Sequence, residues 1–430
     1  MNVISEEQNP YSKPLTFSEA KVNDLSVSFG NGVVDVVPQY IISGNIAYFK
    51  NGEPVSNVTL NLANDTETYS EEATSDAQGN YVFADVPPGN YILTPAKTDE
   101  LQGLSAFDAA SILRYAEAEA EPGCHQMIAA DVNMDKSITA AKATEVAICS
   151  GKRDLGVEYW MNTGQANWAF TMSPIETCED WPPISYPSEA SPDVRTYLSL
   201  DSDKSDADFV AILLGDVTGN WAAENPASSG KRIASAKDVQ ASTEMNVAVS
   251  SSLTLPIALD HETTILGIDM LLQFDSSVLE MTGATLASGI LADWEENLQV
   301  VKNDAGQAAL KIYGSDEITG KGNIAFVNFS VVGSLDTATD LSLSKLRCNE
   351  ADVTGGFAVG DILAGKVTVG VKYGPGDIDH SGAVDLSDLL LALKVSAGIG
   401  MDAVHADADA TGDGKIGMDD VLHILQVIAK

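Results

Sequence analysis

Alternating apolar and polar positions run through most of the chain, and the period turns helical in two regions. After a polar start, residues 1–38 carry apolar positions at Leu25, Val27 and Phe29, then at Val33, Val34, Val36 and Val37, with a turn at Gly30-Asn31-Gly32. This segment is too short to be a domain, and it predicts strands that add to a sheet edge of this chain or of a neighbour. Residues 39–97 read as short strands at 42–49, 55–62, 80–83 and 91–93, separated by the hairpin turn Asn51-Gly52, a turn at 76–79 and Pro87-Pro88-Gly89-Asn90. Within 98–221 the spacing becomes helical over 106–115, with Ser105 placed as an N-cap three residues before Asp108, and again over 140–149. An irregular stretch rich in Pro and Trp covers 155–198, and an apolar run from Phe209 closes this module. Residues 222–243 read as a linker. Strands return over 244–370, at 253–259, 265–274, 309–313, 324–332, 341–343 and 367–369, and predict a sandwich of roughly nine strands. Residues 371–430 hold two loop–helix units in tandem behind a Gly-Pro-Gly hinge. The pattern thus predicts a mainly β, multidomain chain in which two β-sandwiches alternate with two small helical modules.

Composition changes the picture through charge. The chain has 24 Lys and Arg against 62 Asp and Glu, a formal charge of −38, which leaves no basic cluster for phosphate neutralisation. Nucleic acid and anionic membrane surfaces are therefore excluded as expected partners. With 44% hydrophobic residues the chain can still bury cores, and no apolar run reaches the ~18 residues of a membrane span. The opening residues MNVISEEQNP have neither the basic nor the apolar region of a signal peptide. Scattered acids solvate a surface, whereas acids at alternate positions followed by Gly build a calcium loop.

The second arrangement recurs. Asp377, Asp379, Ser381, Asp385 and Asp388 occupy positions 1, 3, 5, 9 and 12 of a loop, with Gly382 at 6, the Ala383 carbonyl at 7 and apolar Val384 at 8. Calcium takes six to eight oxygens, and this spacing wraps them around one point. The second unit places Asp409, Thr411, Asp413 and Asp420 at 1, 3, 5 and 12, with the Lys415 carbonyl at 7 and water expected at position 9, which is Gly417. In the middle region Asp131, Asn133 and Asp135 take positions 1, 3 and 5, with the Ser137 carbonyl at 7, and form a further candidate calcium set, but position 12 is Lys142, whose ammonium cannot ligate and repels an ion, so a loop with calcium and a loop without it stand as equal alternatives. Two half-loops are complementary. One has Asp108 at position 12 but Lys97 and Leu101 at 1 and 5, and the other has Asp216, Thr218 and Asn220 at 1, 3 and 5 with nothing at 12. Together they predict a split site in which 216–220 folds back onto Asp108. The alternative is an ordinary turn at Gly219.

Three stretches resemble known families. The segments ISGNIAYFKNGEPVSNVTLNL and TSDAQGNYVFADVPPGNYIL, in that order, resemble the carboxypeptidase-regulatory-like, transthyretin-type β-sandwich, which implies a spacer or adhesion stalk. Phe274-Asp275-x-x-Val278-Leu279-Glu280, GNIAFVNFSVV and the final strand at 365–369 resemble a cohesin domain over 244–370. Asp at position 12 of both C-terminal loops, without a helix before either, resembles a dockerin type I repeat pair, and GLSAFDAASILRY with IAADVNMDKSIT makes 98–221 similar to a diverged dockerin-like module. The resemblance implies calcium as the bound ion and a cohesin as the partner, recognised through loop positions 10 and 11. Here these are Leu386 and Ser387, and Met418 and Asp419, which predicts a more apolar contact than the usual Ser-Thr pairs.

No G-x-S-x-G, P-loop, G-x-G-x-x-G or H-E-x-x-H motif is present, and the best-clustered acids are accounted for by the loops, so no enzyme is expected. Cys124, Cys149, Cys178 and Cys348 lie far apart, none in C-x-x-C; they are open to three complete pairings or to buried free thiols. The resemblances imply an extracellular or cell-surface, non-enzymatic protein with a plug and a socket on one chain. The hinge at 370–376 reaches at most ~25 Å, so the plug is expected in a neighbour's socket. Head-to-tail contact between copies would then give calcium-dependent filaments. Two other readings stand beside it: a scaffold anchoring other dockerin- or cohesin-bearing proteins, and a carbohydrate-binding array built on Tyr159, Trp160, Trp168, Trp181 and Tyr186.

Overall fold

The computed structural model describes residues 11–15, 21–22, 25–26, 32–36, 38–64, 68–99, 102–157, 167–172, 194–221, 244–352, 364–370, 374–379, 381–399, 408–411 and 415–429. At the N-terminus, β1 (Tyr11–Leu15) pairs antiparallel with β4 (Gly32–Val36), and between them β2 (Lys21–Val22) pairs with β3 (Leu25–Ser26). The described strands of this segment therefore partner each other. The apolar run at 33–36 finds a complement in 11–15, a stretch with little apolar alternation, because ladder bonds are made by the backbone whatever the side chains.

The first sandwich begins with β5 (Tyr40–Tyr48), β6 (Thr59–Asn64), β7 (Ser70–Thr74), β8 (Asn80–Val86) and β9 (Tyr91–Ala96). Their alternation is the one burial demands: Tyr91, Leu93 and Pro95 point in, while Ile92 and Thr94 point out. Three helices follow, α1 (Ala106–Ala116), α2 (Cys124–Ala130) and α3 (Ala140–Asp154). The chain then returns to the sandwich. β10 (Trp168–Met172) and β12 (Phe209–Leu213) extend one sheet to the order β10-β12-β5-β8, and β11 (Arg195–Tyr197) extends the other to β11-β9-β6-β7. Residues 98–221 are thus not a separate helical module carrying an insertion. β12 covers the edge of β5 and β11 that of β9, edges that five short strands would leave with unpaired backbone, and β10 adds outside β12.

Tyr48, Trp168 and Trp221 pack ring to ring at 4.9–5.9 Å in this core. Trp168 is only 4% exposed, so it fills the core instead of offering a face to a sugar. Tyr159, Trp160, Trp181 and Tyr186 lie outside the described residues. Cys124 is disulfide-bonded, whereas Cys149 and Cys348 are free and buried, and Cys178 lies outside the described residues.

The second sandwich comprises β13 (Glu244–Ala248), β14 (Ser252–Gln273), β15 (Leu279–Thr285), β16 (Leu298–Asn303), β17 (Gln307–Val331), β18 (Ala338–Cys348), β19 (Ala351–Asp352) and β20 (Ala364–Gly370). Strands run in the order β13-β20-β18-β14-β17-β15, with β16 on β17 and β19 on β18. Two strands expected separately, at 253–259 and 265–274, are one long β14. Register shifts near Ala258, Thr263 and Gly267 bend it along its pairing with β17. Leu255, Ile268, Leu310, Phe329 and Val367 centre the core. Last come α4 (Leu386–Ser396) and α5 (Met418–Ile428), packed on a small core that includes Ile378, Ala392, Val421 and Ile424.

Because β10 belongs to the first core, Phe170→Ala should lower the unfolding free energy by about 3–5 kcal/mol in a denaturant titration. A loss below about 0.5 kcal/mol would mean that 167–213 is dispensable to the sandwich.

Candidate functional site

One hydrogen-bond frame recurs in the loop–helix units. In the first C-terminal loop the Asp377 carboxylate accepts from the N–H groups of Ser381 (3.0 Å) and Gly382 (2.9 Å), positions 5 and 6. Asp388, at position 12, accepts from Ile378 (2.6 Å), Asp379 (3.1 Å) and Asp385 (2.8 Å). Carboxylate oxygens of Asp377, Asp379 and Asp388 lie within 4.8 Å of one another, and Asp377 and Asp388 are fully buried. Ser381 donates to the Ala383 carbonyl (3.2 Å), and Asp385 caps α4 by accepting from Ser387 N–H (2.6 Å). The second loop repeats the position-12 half of this frame, its positions 5 and 6 lying outside the described residues. Asp420 accepts from Ala410 (2.9 Å), Thr411 (3.0 Å) and Gly417 (2.7 Å), and Asp409 accepts from Thr411 (3.0 Å). Lys415 is exposed, and Asp413 lies outside the described residues.

The split loop assembles as the spacing predicted. Asp216 accepts from Asn220 N–H (3.1 Å) and Trp221 N–H (2.8 Å), positions 5 and 6 again. Across 110 residues of sequence, Thr218 N–H donates to Asp108 (3.0 Å), the bond that Asp379 makes to Asp388 and Thr411 to Asp420. Gly103 stands at position 7, so close to the Asp216 carboxylate and the Asn220 amide that a side chain there would strike both. Ser105 caps α1 from position 9. A residue that spacing alone could not supply is Glu350, from the turn before β19. Its carboxylate accepts from the hydroxyls of Ser105 (2.8 Å) and Thr218 (2.8 Å). Burial pushes the carboxyls of Asp108, Asp216 and Glu350 upward, and for Asp108 the charges of Asp216 and Glu350 add to it.

The loop from Asp131 keeps the frame, with Asp131 accepting from Asp135 N–H (3.1 Å) and Lys136 N–H (2.7 Å). Its centre differs. Lys142 Nζ donates to Asp131, to Asp135 (2.6 Å) and to the Ser137 carbonyl, while the Asn133 amide donates to Asp135 (2.9 Å). The ammonium expected to repel an ion sits among the groups expected to bind one.

The helices that leave these inner loops, α1 and α3, pack on the second sandwich against β14, β16 and β17. Ala106 N–H donates to Asp269 (3.1 Å), and a Cβ on Gly267 would lie 2.6 Å from the Ala106 backbone, so only glycine admits this approach. Thr144 and Tyr313 hydroxyls are 2.9 Å apart. At the C-terminus of α3, Asp154 meets Lys311 (2.5 Å), Lys345 (2.7 Å) and Arg153 (2.6 Å), and Lys311 also reaches Asp269 (2.5 Å). The Lys311 side chain is wholly buried. Cations from the sheet therefore meet both a carboxylate and the negative end of a helix. Burial alone would raise Asp154, but Arg153, Lys311 and Lys345 outweigh it and hold its carboxyl well below the usual range. Burial, followed by the charge of Lys311, brings Lys345 down to about 8.

The C-terminal helices carry a different surface. Leu386, Leu390 and Leu393 on α4 are 69%, 54% and 41% exposed, and Met418, Leu422 and Leu425 on α5 are 58%, 52% and 44% exposed. Both sets run i, i+4, i+7 from loop position 10, so each helix shows one apolar stripe. Ser387 and Asp419 are exposed beside them. The sequence reading found the first residue of each stripe and missed the other two, whose helical spacing was the available signal.

Residues 41–99 match the carboxypeptidase regulatory-like domain, and residues 239–347 match the cohesin domain, a non-catalytic protein-interaction module. No curated protein matches the chain. Among solved structures, the sixth cohesin of scaffoldin B from Acetivibrio cellulolyticus, determined with a mutant Cel5 dockerin, is 18% identical. The match covers 30% of this chain and 94% of that one, with a TM-score of 0.23. The seventh type I cohesin of ScaB from Pseudobacteroides cellulosolvens is 19% identical, over 30% and 90%, with a TM-score of 0.24. A non-cellulosomal cohesin from Archaeoglobus fulgidus is 18% identical, over 30% and 86%, with a TM-score of 0.22. The assignment of the second sandwich rests on the family match.

Lys345 gives the helix–sheet contact a pH signature. Its folded value, about 8, is below the 10.5 of an unperturbed lysine, so between these the unfolded chain holds more protons and stability rises with pH. Unfolding midpoints measured from pH 8 to 10.5 should show wild type gaining on the order of 2 kcal/mol relative to Lys345→Met. Parallel profiles would contradict the buried placement of Lys345.

Proposed function

We propose that this protein is a non-enzymatic, extracellular structural component that docks its C-terminal helix pair, held by calcium, on the sheet of a cohesin-like sandwich in another chain. The observation that carries this reading is a correspondence within the chain. Ala106, which meets the sheet at Gly267 and Asp269, stands at the loop position of Leu386. Thr144, which meets Tyr313, stands at the position of Leu422. One pair of loop–helix units is thus seated on a cohesin-like sheet, and a second pair presents the equivalent faces, exposed and apolar. Cohesin domains act in protein scaffolds, which agrees with a structural role.

Calcium is assigned to Asp377, Asp379, Ser381, Ala383, Asp385 and Asp388, to Asp409, Thr411, Asp413, Lys415 and Asp420, and to the split set Asp108, Asp216, Thr218 and Asn220. The shared frame supports this, since in the first loop it gathers the carboxylates of Asp377, Asp379 and Asp388 around one centre that a divalent cation would neutralise. The disulfide at Cys124 supports an oxidising, extracellular setting. If the partner is a second copy, repetition gives a filament. If it is a cohesin on a different protein, the chain is a scaffold attachment. The coverage of this chain's own β14, β16 and β17 by α1 and α3 favours the different protein.

Light scattering at millimolar calcium separates the two partners. Fibres would place the contact between copies. A monodisperse chain that captures a cohesin domain in calcium, and releases it in chelator, would place the partner outside. Leu390→Asp with Leu422→Asp should weaken either contact at least tenfold while calcium uptake is retained. A chain that neither associates nor captures a cohesin domain would contradict the reading.

A further inference from the structure

We propose that the Lys142 ammonium is a tethered stand-in for the metal ion of the loop from Asp131, so that α3 is ordered and held on the second sandwich without calcium. The loop has the frame of its relatives in this chain: a position-1 carboxylate accepting from positions 5 and 6. What changes is position 12. In the C-terminal loops that residue is Asp388 or Asp420, which adds negative charge and turns back on backbone N–H groups. In the inner loop it is Lys142, whose Nζ bonds Asp131 at position 1, Asp135 at position 5 and the carbonyl at position 7, the places where calcium would find its oxygens.

Charge favours this exchange. The first C-terminal loop contains four carboxylates, Asp377, Asp379, Asp385 and Asp388, and neither Lys nor Arg. The inner loop gathers two, Asp131 and Asp135, and its own ammonium neutralises one of them. Lys142 is 3% exposed and Asp131 1%, so the pair is desolvated and geometrically fixed. A divalent ion entering here would have to expel a buried ammonium that already holds its ligands.

The consequence reaches the sheet, because Lys142 lies in the first turn of α3 and Asp154 at its last residue. The N-terminal end is fixed by the ammonium and the C-terminal end by Lys311 and Lys345. Neither anchor contains a metal. Calcium therefore controls the C-terminal plug and the split loop, while α3 stays on the sheet whatever the calcium level. This inference concerns the inner loop and does not depend on what the plug binds.

Hydrogen exchange on the intact chain, with calcium and in chelator, tests it together with a count of calcium bound. In wild type, amides of 140–154 should keep their protection in chelator while those of 386–396 and 418–428 lose at least tenfold. Lys142→Asp should bind one more calcium per chain than wild type, and its 140–154 amides should be protected in calcium and lose at least tenfold in chelator. Lys142→Met, which keeps the length and removes the charge, should lose protection in both buffers. Wild-type 140–154 that loosens in chelator would overturn the proposal. So would unchanged calcium stoichiometry in a folded Lys142→Asp chain, or wild-type protection in Lys142→Met.

Discussion

A lysine ammonium with no exposed surface, Lys311, stands between Asp154 of one folding unit and Asp269 of another. Removing a charge from water is costly, and an unpaired buried ammonium would deprotonate or unfold its surroundings. Lys311 has Asp269 on its own sheet, and α3 can bury the ammonium because it brings Asp154 as a second partner. The same condition explains its neighbours: Asp269 also receives Ala106 N–H, and Asp154 also receives Lys345. The packing of the first unit on the second follows from this demand. Leu266 and Tyr313 of the second sandwich accordingly join the core of the first.

Much of the loop architecture was legible because calcium loops are a local pattern. Spacing alone picked out 377–388 and 409–420 as candidate loops, and it matched the halves at 97–108 and 216–220, which lie together. Glu350 was not legible, since nothing in its own stretch points to Ser105 or Thr218. Lys142 stood out in sequence as a residue that cannot ligate an ion, but sequence position does not reveal that its four-carbon stem is long enough to place the ammonium at the loop centre. Strands were legible where alternation held over several residues. β10 and β12 were hidden by burial on both faces: Trp168, Ala169 and Phe170 are all buried, so no period of two appears. The interface was least legible of all, because Asp154, Asp269, Lys311 and Lys345 are single charges that sequence cannot tell from solvated ones.

The chain uses one loop–helix design with three different charge settings. The inner loop carries its own cation, the C-terminal loops are assigned a soluble one, and the split loop lies at the contact between sandwiches where Glu350 adds to its acid. These differences sort the helices by task. α1 and α3 face a sheet through small residues and fixed charge, as Ala106 under Gly267 illustrates. α4 and α5 expose leucines and a methionine at the equivalent positions, a surface suited to burial against a partner. A structural protein built this way keeps one helix–sheet contact closed inside the chain and offers another outside it.

Asp154 and Lys311 join α3 to the cohesin-like sheet, and a double-mutant cycle measures that directly. Unfolding free energies of wild type, Asp154→Asn, Lys311→Met and the double variant give the coupling between the two side chains. The account predicts that each single change costs about 3–5 kcal/mol and that the double costs clearly less than their sum, with a coupling of about 2 kcal/mol or more. Additive losses, with a coupling within about 0.5 kcal/mol of zero, would contradict it.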